Sequence, residues 1–139
     1  AQITALAVLM PIVASMGGIA GVQTLTIMVR GIALGHVQAE NSWRIVGRQA
    51  AVGLVMGLLF ALLGTVLAWF WFGMPLLGVA MGLALVINLL ASGFFGSVIP
   101  LILRQLNIDP ALASGVLLNT LTDGIGFFSF LAIGTWILL

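Results

Sequence analysis

Four apolar runs, at about residues 5–34, 45–72, 75–100 and 111–139, occupy most of this chain and leave only short polar connections between them. Each exceeds the roughly 20 residues that carry a helix across a ~30 Å hydrocarbon core, where the backbone must satisfy its own hydrogen bonds. The expected fold is all-α integral membrane, a multi-span helical bundle with four spans in one domain covering 1–139. A soluble alternative fails on composition, because 63% of the 139 residues are hydrophobic and only 5% carry charge. Membrane lipid is the partner this balance implies.

The first run would measure roughly 45 Å as one helix at 1.5 Å per residue, which overshoots the hydrocarbon core. Pro11 and the GGIAG stretch at 17–21 supply a weak point, so this span is expected to kink there. Gly17 and Gly21, with Gly18 between them, allow two readings: a small-residue contact between helices, or bared carbonyls along a watery path. Gln23 follows directly and is too polar for a lipid-facing turn. In the third run Gly78, Gly82, Asn88, Ser92, Gly93 and Gly96 read as close helix contact, with Asn88 as interhelical glue.

Charge is sparse and informative. There is no lysine and the net charge is +1, so nothing suggests nucleic acid, and the sequence shows no basic cluster for phosphates. No cysteine is present, and no Ser/His/Asp set or phosphate loop appears, so an enzyme is not expected. His36, the only histidine, reads as a loop residue. The four arginines fall at or beside the first and third connections, and none lies near the second. The positive-inside rule then makes connections 35–44 and 101–110 cytoplasmic, with Trp43 at one interface and the WFWFGMP corner at the other.

Asp123 is the one acid inside a span. A charged side chain at membrane depth costs about 3 kcal/mol or more unless it meets a partner, water or an ion. Gly115, Asn119 and Asp123 recur at four-residue spacing on one helix face, flanked by Thr120 and Thr122. Oxygen and amide donors with no thiol or imidazole suit a hard cation. One carboxylate cannot neutralise a divalent ion, but a two-fold dimer supplies a second copy. A proton relay, a monovalent-ion site and a structural hydrogen bond stay open on chemistry alone.

Two blocks carry a family resemblance. MPIVASMGGIAGVQTLTIMVRGIALG resembles the P-x(5)-GGNxGxQ stretch and following VRGLALG of the MgtE magnesium channels, and IDPALASG with TLTDGIGFF resembles that family's DPA and T-x-x-D block. The similarity covers nearly the whole chain, from the second to the fifth helix of a five-helix pore domain. It implies a homodimeric channel, in bacteria an inner (plasma) membrane protein, that conducts hydrated Mg2+ through a pore lined by the first and fourth spans of this chain. The transported Mg2+ would be held by Asp123 and Asn119. Gly17, Gly18, Ile19, Gly21, Gln23, Gly115, Thr120 and Thr122 would line the pore, and Asp109 would sit at its cytoplasmic mouth. A further helix and cytosolic regulatory domains are expected on an N-terminal part outside this sequence.

Three positions depart from the pattern: Ile19 replaces an Asn, Val22 stands where a small hydroxyl residue is common, and Val116 where Pro is common. The competing readings are a proton- or sodium-coupled divalent cation transporter, an intramembrane aspartyl hydrolase, and a noncatalytic packing subunit.

Overall fold

The apolar runs fold as helices whose ends fall within a few residues of the runs themselves, apart from one extension in the third. A computed structural model describes residues 2–38, 40–73 and 75–138, with α1 at Gln2–Ala33, α2 at Ser42–Phe72, α3 at Pro75–Gln105 and α4 at Pro110–Leu138. All four are long and apolar enough to cross a membrane. The chain is an all-α membrane bundle.

Helix α3 is the centre of the bundle. The other three helices pack on it and α1 also packs on α4, whereas α2 barely touches α1 and, among the described residues, does not reach α4. This explains which helix is buried on several sides. Leu77, Ala80, Met81, Ala84 and Leu85 of α3 close a core with Leu9 and Val13 of α1, Ala68 of α2 and Phe130 of α4. A smaller cluster of Ile99, Leu103 and Leu118 lies nearer the arginine-bearing end. The outward face of α2 stays exposed, as at Val55, Leu58, Leu62 and Leu67, which suits a helix facing lipid tails.

Glycine lets the backbones meet. A methyl group on Gly93 would land on the carbonyl oxygen of Gln49, and one on Gly53 on that of Leu89, so α2 and α3 touch backbone to backbone. Polar atoms then fasten α1 to α3. Asn88 is fully buried and its Nδ2 donates to the Val13 carbonyl at 2.8 Å, while the Ser92 hydroxyl lies 2.7 Å from the Gly17 carbonyl oxygen. A helix carbonyl has a second lone pair to offer, so these bonds need not cost α1 its own hydrogen bonds. Asn88 is the interhelical glue expected of it.

α1 is a single helix that contains Pro11 and the glycine stretch. One helix boundary differs from the sequence expectation. α3 does not end at Pro100 but continues to Gln105 with that proline inside it. Pro100 removes one helix hydrogen bond, yet Leu103 on the next turn buries in the smaller cluster, and that burial offsets the loss. Arg104, expected in a turn, is therefore on the last turn of α3, where its Nη1 donates to the Val37 carbonyl at 2.9 Å. α3 ends just beyond, with Asn107 in the left-handed region (φ 60°) and the Ile108 amide returning to the Leu103 carbonyl at 2.9 Å.

Specific contacts hold the turn that follows α1. Gly35 takes φ 77°, and Val37 tucks under Gly31, where no larger residue leaves room for it. Asn41 sits at the N-cap of α2 but makes no side-chain cap bond there. Its side chain instead accepts from the Gln38 amide at 2.8 Å and donates to the His36 carbonyl at 3.1 Å.

Candidate ion-binding recess

Along the seam between α1 and α4, away from α3, the bundle opens into a recess of about 520 Å³. Ala14, Ser15, Gly18, Ile19, Val22 and Gln23 of α1 line one side, and Asn119 with Asp123 of α4 the other. The α1 set follows helical geometry, since Ser15, Ile19 and Gln23 are four residues apart and Gly18 and Val22 fall beside them. Gly18 faces Asn119: a methyl placed there would lie 3.7 Å from Asn119 Oδ1, an ordinary contact. The amide of Asn119 therefore lies against α1, one helical turn before the carboxylate.

The recess can accept a hydrated ion. Six waters at ~30 Å³ each occupy about 180 Å³, well under the available space. Its polar donors are a carboxylate, two amides and one hydroxyl, all of them hard. Against these stand Ile19 and Val22, 59% and 44% exposed, as alkyl wall. A second recess of about 350 Å³ lies on the same seam toward the arginine-bearing end, lined by Leu25, Thr26, Val29, Arg30, Ala33 and Pro110.

Of the residues expected to form the site, Asp123, Asn119, Gly18, Ile19 and Gln23 come together here. Others do not. Gly17 and Gly21 turn inward, Gly17 against the Asn88 amide and Gly21 against Leu118, so their visible role is helix contact. Thr122 is fully buried, its hydroxyl 3.3 Å from the Asn119 carbonyl oxygen, so in this chain it backs the recess rather than lining it. Thr120 is exposed and its hydroxyl donates to the Val116 carbonyl at 2.9 Å, outside the recess. A methyl placed on Gly115, one turn before Asn119, would meet nothing within 4 Å among the described residues, and Asp109 is exposed just before α4 begins. Ser15 joins the site without having been singled out by the sequence. Its spacing of four from Ile19 and eight from Gln23 was the available signal.

Among the described residues no group of three or more His, Cys, Asp or Glu side chains gathers to hold a metal tightly. The fold and the seam together define a multi-span helical membrane protein with one intramembrane acid on an accessible face.

Comparison with known proteins makes this specific. The chain belongs to the MgtE family of divalent cation transporters, which matches residues 10–133. It is 34% identical over 138 residues to the magnesium transporter MgtE of Thermus thermophilus, covering 98% of this chain. Against the magnesium transporter MgtE of Bacillus subtilis it is 32% identical over 134 residues, covering 96% of this chain. With the Enterococcus faecalis magnesium transporter MgtE it shares 31% identity over 118 residues, 85% of this chain and 26% of that protein. The chain spans about 30% of the length of the first two relatives. The resemblance read from the two sequence blocks is thus confirmed, and membership in a transporter family removes the intramembrane hydrolase.

Proposed function

We propose that this chain forms the ion-conducting part of a homodimeric magnesium channel, in which hydrated Mg2+ passes along the α1/α4 seam and is held by Asp123 and Asn119. The observation that carries the reading is the position of the sole intramembrane carboxylate. Asp123 shares an open recess with Asn119, Ser15 and Gln23 instead of being spent on a structural contact. The relatives named above are magnesium transporters.

Charge balance supports the dimer. A divalent ion beside one carboxylate keeps a net charge of +1 in a poor dielectric, whereas two copies of Asp123 about a two-fold axis neutralise it. Mg2+ gives up water reluctantly and commonly takes one or two carboxylates, so it suits a wide site in which protein groups touch its hydration shell. The same seam then runs toward Thr26 and Pro110, with Asp109 beside its end as the cytoplasmic mouth.

The dimer is tested by a cysteine at Asn119 in the full-length protein in membranes. A thiol-reactive spacer on the order of 10 Å long, able to cross a hydrated ion's width that a disulfide's ~4 Å Cβ separation cannot, is expected to join Asn119→Cys to its copy, while Thr122→Cys, buried against its own chain, stays uncrosslinked. The reverse pattern, or no Asn119→Cys crosslink in protein that still transports Mg2+, places the pathway away from a shared axis. Flux unaffected by proton and sodium gradients separates the channel from a coupled transporter.

A further inference from the structure

The fold gathers a cationic group that the sequence does not show. Arg30 near the end of α1, His36 in the connection, and Arg44 and Arg48 in the first two turns of α2 line one recess of about 590 Å³. Three of the four arginines thus meet at a single place, and no acid is among its lining residues. Ile27, Met28, Leu34, Val37 and Ile45 make the rest of its wall largely apolar. It exists because α1 and α2 scarcely touch, leaving a cleft between them. Val37, seated under Gly31 and accepting a hydrogen bond from Arg104 at its carbonyl, holds one side of it in place.

Charge and wall together select the occupant. Guanidinium groups bind phosphate through paired, charge-assisted hydrogen bonds. A small soluble anion would meet the arginines but leave Ile27 and Leu34, 55% and 58% exposed, facing water. A phospholipid satisfies both, with its phosphate at the arginines and a chain along the alkyl wall. The level is right as well. Trp43, 74% exposed in the first turn of α2, sits where interfacial tryptophans anchor a span. A zwitterionic headgroup would bring its ammonium toward three arginines, so the phosphodiester should carry no compensating cation.

We infer that the cleft between α1 and α2 holds one acidic phospholipid of the adjoining leaflet, its headgroup phosphate bound by Arg30, Arg44 and Arg48. The cleft lies between α1 and α2 rather than α1 and α4; Arg30 alone lines both this cleft and the seam recess near Pro110, while Arg44 and Arg48 belong to the cleft only.

The test uses the full-length protein, stripped of native lipid and titrated with phosphatidylglycerol or phosphatidylcholine of identical acyl chains, with bound lipid counted by native mass spectrometry. One phosphatidylglycerol per chain is expected, preferred on the order of tenfold over phosphatidylcholine, with that preference lost in Arg44→Gln/Arg48→Gln and only weakened in Arg44→Lys/Arg48→Lys, which keeps the charge without the paired bonds. A photoactivatable phosphatidylglycerol on the wild-type protein should label residues 27–49, a readout that needs no variant to fold. Equal retention of the two lipids, or labelling elsewhere, overturns the site. So does displacement of phosphatidylglycerol by millimolar inorganic phosphate, which would make it a soluble-anion site. Protection of residues 27–49 by another segment of the full-length protein also overturns it.

Discussion

Asp123→Ala in the full-length protein is expected to lower Mg2+ flux by at least about a hundredfold while leaving helix content and assembly intact. A carboxylate ~5 Å from a divalent ion, across one layer of water, contributes roughly 7 kcal/mol at an effective dielectric near 20. Each ~1.4 kcal/mol added to a barrier slows passage tenfold, so even a strongly screened fraction of that loss is enough. Folding should tolerate the change because Asp123 is exposed on the recess and leaves no cavity behind. Asp123→Asn keeps size and hydrogen bonding but removes charge, and flux near that of Asp123→Ala would identify charge as the requirement. Flux near wild type in both variants, measured in liposomes with a Mg2+-sensitive dye, removes Asp123 from the pathway.

The second large effect is expected at Ile19. This side chain is 59% exposed and lines the recess beside Gly18, which abuts Asn119. An alkyl group there cannot replace the hydrogen bonds of a hydration shell that Mg2+ holds tightly. Ile19→Asn should raise Mg2+ flux several-fold, since one added hydrogen bond to the moving shell is worth about 1 kcal/mol, or sharpen selection of Mg2+ over Ca2+. Little stability should be lost, because the isoleucine gives up little burial. Unchanged flux with a weakened dimer would instead make Ile19 a contact between chains.

What could be read without the structure follows from the range of the interactions involved. The spans were legible because a long apolar run has one way to satisfy its backbone in a membrane. Asp123 and Asn119 were legible because a four-residue spacing on a helix fixes a shared face. Gly17 and Gly18 were not separable. Neighbouring residues on a helix point about 100° apart, and only the position of α3 shows that Gly17 meets Asn88 while Gly18 opens on the recess. Thr122 likewise reads as a site residue until its burial is known. The extension of α3 beyond Pro100 depends on Leu103 finding Ile99 and Leu118, a tertiary event that overrides the local preference of proline. The arginine-lined cleft was hidden for the same reason, since Arg30 and Arg44 are apart in sequence and meet only through the turn at Gly35 and Val37.

The proposed pathway is shared between two chains, and a tandem fusion of two full-length copies, joined through one added membrane-spanning helix so that both keep the same orientation, tests that most directly. With Asp123→Ala in one copy only, Mg2+ flux into liposomes should fall nearly as far as in the doubly substituted fusion, because the ion then meets one carboxylate where it needs two. Flux at about half the wild-type fusion would show that each chain carries its own pathway, and would contradict a pore on the two-fold axis.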